Sequence, residues 1–236
     1  MNELMRFVAA VLTVGVMMTG CAANEGARDG AGMTEEESLS KPLEEQYALA
    51  GERYDELQQR VTAMQQDIYG GEWRTKTSAG VIPGSGFDLG GKLVGDTRDN
   101  SYYYTSFRNY VYDDSTHVTL EDVRQMWAKR GWDVTEDPMA PGNTRLTVTA
   151  PDGYWYEARD WNKGEFNLAM HSPVYWGSVR KTNDAIHARL DAENAGRAHG
   201  DTFDPDEDNY VTLLPGVYRP FPAWDALEKY PSVAEE

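Results

Sequence analysis

The sequence predicts an α+β fold in two layers, with an antiparallel β-sheet of four to six strands packed against a long N-terminal helix and a second helix. Three observations predict it. Apolar residues recur at alternating steps of four and three between Leu43 and Ile68, and a second amphipathic stretch runs from Thr119 to Gly131. Between them and beyond them, short alternating segments are separated by Gly, Pro and Asn turns.

The first helix is carried by Leu43, Tyr47, Ala50, Tyr54, Leu57, Val61, Met64 and Ile68, one stripe on a 3.6-residue period, and Gly70-Gly71 ends it. The same spacing suits a coiled-coil dimer, but the flanking positions lack the charge pairing that would select a partner helix, which favours packing on the domain's own sheet. EWRTKT (72–77) reads as a first strand, 78–100 as a glycine-rich loop, and SYYYTSFRNYVYDD (101–114) as one long strand. On that strand Tyr102, Tyr104, Tyr110 and Tyr112 share one face, and Tyr103, Phe107 and Val111 share the other.

Thr119-Leu-Glu-Asp122 places a hydroxyl three residues before a carboxylate, an arrangement that satisfies free backbone donors where a helix begins. Leu120, Val123, Met126 and Trp127 give this helix its apolar face; Lys129-Arg130 suit its negative end and Gly131 its stop. DVTED, TRLTVTA, YWYEARD and GEFNLAMH then alternate apolar with polar. Pro141-Gly142-Asn143, Pro151-Asp152-Gly153 and Asn162-Lys163-Gly164 join them as a meander. Leu146, Val148, Phe166, Leu168 and Met170 would face the helices.

The organisation expected is a signal peptide at 1–20, a flexible tether at 21–41, the α+β domain at 42–177, and an acidic C-terminal extension at 178–236, partly docked or disordered. Within the extension, YVTLLPGVYRPFPAW (210–224) is apolar enough to dock in extended form along the sheet. At the N-terminus, MNELMR precedes the apolar run FVAAVLTVGVMM, too short to span a bilayer, and then Thr19-Gly20-Cys21. M-T-G-C resembles the bacterial lipobox, whose cysteine is diacylated and becomes the first residue after cleavage. Cys21 is the only cysteine in the chain, so no internal disulfide forms. Two or three acyl chains on Cys21 would hold the protein stably to the outer face of a membrane.

Composition narrows the partners. A net charge of −17 with no basic stripe argues against nucleic acid. Gly86-Phe-Asp-Leu-Gly-Gly-Lys92 has phosphate-loop spacing, but Leu93 stands where a magnesium-holding hydroxyl is required and turn residues follow where a helix must begin, so no nucleotide is expected. Asp204, Asp206 and Asp208 occupy alternate positions as in a calcium loop, yet Asn209 replaces its glycine and Pro215 its closing glutamate. His117, His171, His187 and His199 show no zinc spacing. No cofactor or metal is expected. No G-x-S-x-G elbow is present, and an acylated Cys21 is no nucleophile, so no catalytic residue is assigned. Paired carboxylates for glycoside cleavage depend on distances in the fold.

The aromatic residues supply the candidate binding face: Tyr102, Tyr104, Tyr110 and Tyr112 with Trp155 and Trp161, a row able to stack on sugar rings or grip a protein. The competing reading has these tyrosines covering a sheet roofed by the C-terminal extension.

The lipobox, the helix ERYDELQQRVTAMQQDI followed by Trp73, the helix EDVRQMWAKRGW and the hairpin DGYWYEARDWNKGEFNLAMHSP together resemble the LppA-type lipoproteins of mycobacteria and related actinobacteria. The likeness covers residues 21 to 175 in layout. It implies an outward-facing, lipid-anchored cell-envelope protein with no known enzymatic activity, and the acidic tail after Gly177 departs from it. The expected function is a non-enzymatic binding or accessory module on the membrane, its partner an envelope protein or a glycan. The alternatives are a carbohydrate-binding module using the tyrosines and an envelope hydrolase using paired carboxylates.

Overall fold

The computed structural model describes residues 26–76, 79–85, 93–140, 143–161, 164–196 and 202–230. The signal peptide, Cys21, the Gly86–Lys92 loop, Pro141-Gly142, Asn162-Lys163 and His199 lie outside them.

The chain begins with a turn and a short helix, α1 (Glu35–Leu39), opened by a reciprocal cap in which Thr34 and Glu37 satisfy each other's backbone N–H. Helix α2 (Leu43–Ile68) follows, and every residue of the stripe from Tyr47 to Ile68 is buried within the monomer. The stripe is therefore consumed by the domain's own sheet. Strands β1 (Trp73–Thr75), β2 (Ile82–Pro83), β3 (Ser101–Tyr103) and β4 (Thr105–Val111) lead to α3 (Leu120–Lys129), which is capped by Thr119 and Asp122 as its sequence requires. The meander is β5 (Thr135–Ala140), β6 (Asn143–Thr149), β7 (Trp155–Asp160) and β8 (Glu165–His171). After it come β9 (Tyr175–Trp176), α4 (Val179–Ala195), β10 (Val211–Leu213) and α5 (Ala226–Lys229).

Seven strands form one sheet in the order β10-β1-β4-β8-β7-β6-β5, and three form a smaller one, β2-β3-β9; each described pairing is antiparallel. The main sheet exceeds the four to six strands expected. The long strand expected over 101–114 is divided, because β3 pairs with β9 while β4 pairs with β8. The two arms of this ribbon bend together. At the bend, Tyr104 and Ser172 leave the ladder: Tyr104 N–H donates to Ser172 Oγ at 2.9 Å, and Ser172 N–H to the Tyr104 carbonyl at 2.9 Å. Pro173, with no N–H to give a ladder, follows directly.

The tether expected over 21–41 is folded from Gly26 onward. Asp29 is the reason. Its carboxylate accepts from the backbone of Ala31 (2.9 Å), Met33 (2.9 Å) and Trp176 (3.0 Å) and lies 3.5 Å from the Arg53 guanidinium, a pair whose side chains are 0% (Asp29) and 6% (Arg53) exposed. Arg53, from the middle of α2, also donates to the Tyr102 hydroxyl at 2.7 Å and sits 4.3 Å from the centre of the Tyr175 ring.

The acidic extension is also part of the body. Helix α4 packs on α2, and β10 pairs along the edge of β1. From there the chain runs back along α2, where Tyr47 and Tyr54 donate to the carbonyls of Pro222 and Arg219, both at 2.8 Å. Phe221 lies against Gly51, where an added Cβ would meet the ring at 2.9 Å, so a helix-interior glycine is retained at its usual cost of about 1 kcal/mol. The Arg189 guanidinium stacks over Trp224 at 3.7 Å and closes the strap.

Removing one partner of a buried pair leaves an uncompensated charge. Asp29→Ala is expected to lower the unfolding free energy by about 3–5 kcal/mol in urea denaturation, and Arg53→Met on that background to recover part of the loss.

Candidate functional site

The structure places the expected tyrosine row on the inner face of the sheet. Tyr102, Tyr104 and Tyr110 are 2%, 1% and 1% exposed, so they form no shelf for a sugar or a protein. Their hydroxyls are turned to structural use: Tyr104 donates to the Ala50 carbonyl at 3.0 Å, Tyr102 accepts from Arg53, and Tyr110 accepts from Val118 N–H at 3.3 Å. Tyr112 is half-buried, donates to Asp160 at 2.6 Å and stacks on His117 at 4.1 Å. Trp155 is 3% exposed, and of the six residues only Trp161, at 36%, is an exposed side chain. Alternation was read correctly, but the side that faces the helices is the one carrying the tyrosines, since Tyr110 is paired with Phe166 and Ser106 with Met170.

The outer face carries a different constellation. Trp155 lies at 4.5 Å from the His171 ring, with Phe107 edge-on to the same ring at 6.1 Å and Tyr103 at 6.2 Å. Beside it, Glu157 pairs with Arg159 and with Arg145 at 3.4 Å, and Arg145 reaches Asp137 at 3.2 Å. Glu157 Oε1 stands 3.7 Å from His171 Nε2. Burial alone would raise the Glu157 carboxyl, but His171 and the two guanidinium groups outweigh it and hold it at about 2. Burial likewise draws His171 below its ordinary value, against the pull of Glu157.

A second feature lies beside strands β1 and β4. Among the described residues these pair at Arg74 and Asn109, and a cavity of about 240 Å³ is lined by residues of both strands and by Tyr54 and Gln58 of α2. Tyr54, Ser106, Arg108, Ile82 and Leu213 line it, with Lys76 and Arg219 contributing further positive charge. No described lining residue is acidic, in a chain with 39 acids. Arg108 is 7% exposed and donates to Gln58 at 2.7 Å, to the Phe107 carbonyl at 3.1 Å and to Thr75 Oγ1. No carboxylate among the described residues pairs with it, and burial pulls its pKa down to about 10. Ser106, 5% exposed, has no hydrogen-bond partner for its Oγ. Sequence reasoning missed this site, although the signal was present. Arg108 shares the alternation phase of Tyr104 and Tyr110, which puts a cation on a core-facing position.

The remaining sequence candidates are not brought together. Asp206 folds its own turn, accepting from Asp208 N–H at 3.0 Å and Tyr210 N–H at 2.8 Å, and with Asp208 it pairs with Arg74. Among the described residues no group of three His, Cys, Asp or Glu side chains is placed to hold a metal ion.

Glu157 gives the outer constellation a pH signature. A carboxyl lowered from 4.5 to about 2 on folding contributes stability that is present above pH 4.5 and lost as pH falls towards 2. The stability gap between wild type and Glu157→Gln is therefore expected to narrow, by on the order of 2 kcal/mol, between these limits in denaturant titrations.

No protein-family model matches the chain, and no curated protein or solved structure matches it significantly.

Proposed function

We propose that this protein is an outward-facing cell-envelope lipoprotein, anchored through acylated Cys21, whose α+β domain is a non-enzymatic binding or accessory module. The observation that carries the anchor is the position of the sole cysteine, directly after a signal-type apolar run and Thr19-Gly20. The concave, cation-lined cavity beside Arg108 supports binding as the domain's role, because small-ligand sites are concave and carry a few convergent polar groups.

The hydrolase alternative has less to support it. General acid catalysis needs a carboxyl that is protonated near neutral pH, and Glu157, clamped by arginines, is ionised there. The sugar-stacking alternative loses the tyrosine row to the core, though Phe107, half exposed, and Trp161 remain on the surface.

In cells fed a palmitate analogue, the wild-type chain is expected to be labelled and to fractionate with membranes, and Cys21→Ala to be unlabelled and to retain its leader. An unlabelled wild type with intact residues 1–20 would refute the anchor.

A further inference from the structure

Arg53 and Arg108 are both guanidinium groups buried against α2, and their surroundings differ in one respect. Arg53 faces the carboxylate of Asp29, whereas Arg108 faces only neutral acceptors: Gln58, Thr75 and the Phe107 carbonyl. These take three of its five N–H donors. A buried cation without a counter-charge is costly, so such groups are normally paired. The space beside Arg108 is the cavity, and Ser106, whose buried hydroxyl has no partner, also lines it.

We propose that the cavity binds a small organic monocarboxylate, its carboxylate on Arg108 and Ser106 and its short apolar body against Ile82 and Leu213. The inference rests on the reading of the domain as a binding module and names the ligand class. Three lines of chemistry select it. A single buried guanidinium balances a single negative charge, and its planar donor set matches a carboxylate's two oxygens. The volume of about 240 Å³ is below the range of drug-sized sites, which limits the ligand to a small molecule. The lining also includes Ile82 and Leu213, so a wholly polar anion would leave apolar wall uncovered. Lys76, exposed at the rim, and Arg219 draw anions towards an opening in an otherwise acidic surface.

The test uses the full-length chain in detergent, with butyrate as probe, butyramide as its uncharged counterpart and inorganic phosphate as a second anion, all at one ionic strength. Butyrate at a hundredfold excess over its Kd is expected to raise Tm by about 5 °C, with butyramide and phosphate producing no comparable shift. Ser106→Ala, which removes an unpartnered hydroxyl, is expected to keep or raise the ligand-free Tm while weakening butyrate about fivefold or more in calorimetric titration. Arg108→Gln should abolish binding; if it does not fold, Ser106→Ala decides. Equal stabilisation by butyramide, stabilisation by phosphate alone, no shift with butyrate, or wild-type affinity in Ser106→Ala would each overturn the assignment. Labelling of Cys21 reads the anchor separately, so either proposal can fail while the other stands.

Discussion

The contact between Arg53 and Asp29 is the constraint on which the rest of the architecture depends. It joins four pieces of chain that are distant in sequence: the N-terminal turn, the middle of α2, β3 through Tyr102, and β9 through the Trp176 backbone. A buried ion pair adds little net stability compared with an apolar pair of similar size. Its effect here is on register. Asp29 accepts three backbone N–H groups besides facing the guanidinium, so any slip of α2 along the sheet would strand a charge or several donors away from water.

The same helix organises both sides of the molecule. One side of α2 covers the aromatic inner face of the sheet, while Tyr47 and Tyr54 reach past it to hold the C-terminal strap by its carbonyls. Phe221 and Trp224 pack on Tyr47 at 4.9 and 5.0 Å, so the returning segment contributes rings to a shared cluster. The strap and β10 also close one wall of the Arg108 cavity through Leu213, Tyr218 and Arg219. An acidic tail whose composition suggests solvation is thereby part of a cavity wall that carries Lys76, Arg108 and Arg219 and no described acid.

Much of this was legible in the sequence. The period of α2, the reciprocal cap of α3 and the Pro151-Asp152-Gly153 turn each follow from local physics, and all three recur in the structure. The inner strand residues Leu146, Val148, Phe166, Leu168 and Met170 face the helices as alternation requires. What was not legible depends on contacts between distant residues. Period-2 alternation divides 101–112 into two faces but does not say which faces the core, and tyrosines suit either. The bend at Tyr104 needs Ser172-Pro173, 68 residues on. Asp29 looks like any acid in a small polar stretch until Arg53 and the Trp176 backbone surround it.

The described body reaches back to Gly26, so no more than residues 22–25 separate it from Cys21. Even fully extended, the five residue steps from Cys21 to Gly26 reach about 17 Å. A lipid at Cys21 would therefore hold the domain within less than its own diameter of the headgroups, confined to a shallow zone rather than sweeping a wide volume. On the proposed anchoring, the ligands and partners it can meet are those present at the bilayer surface itself.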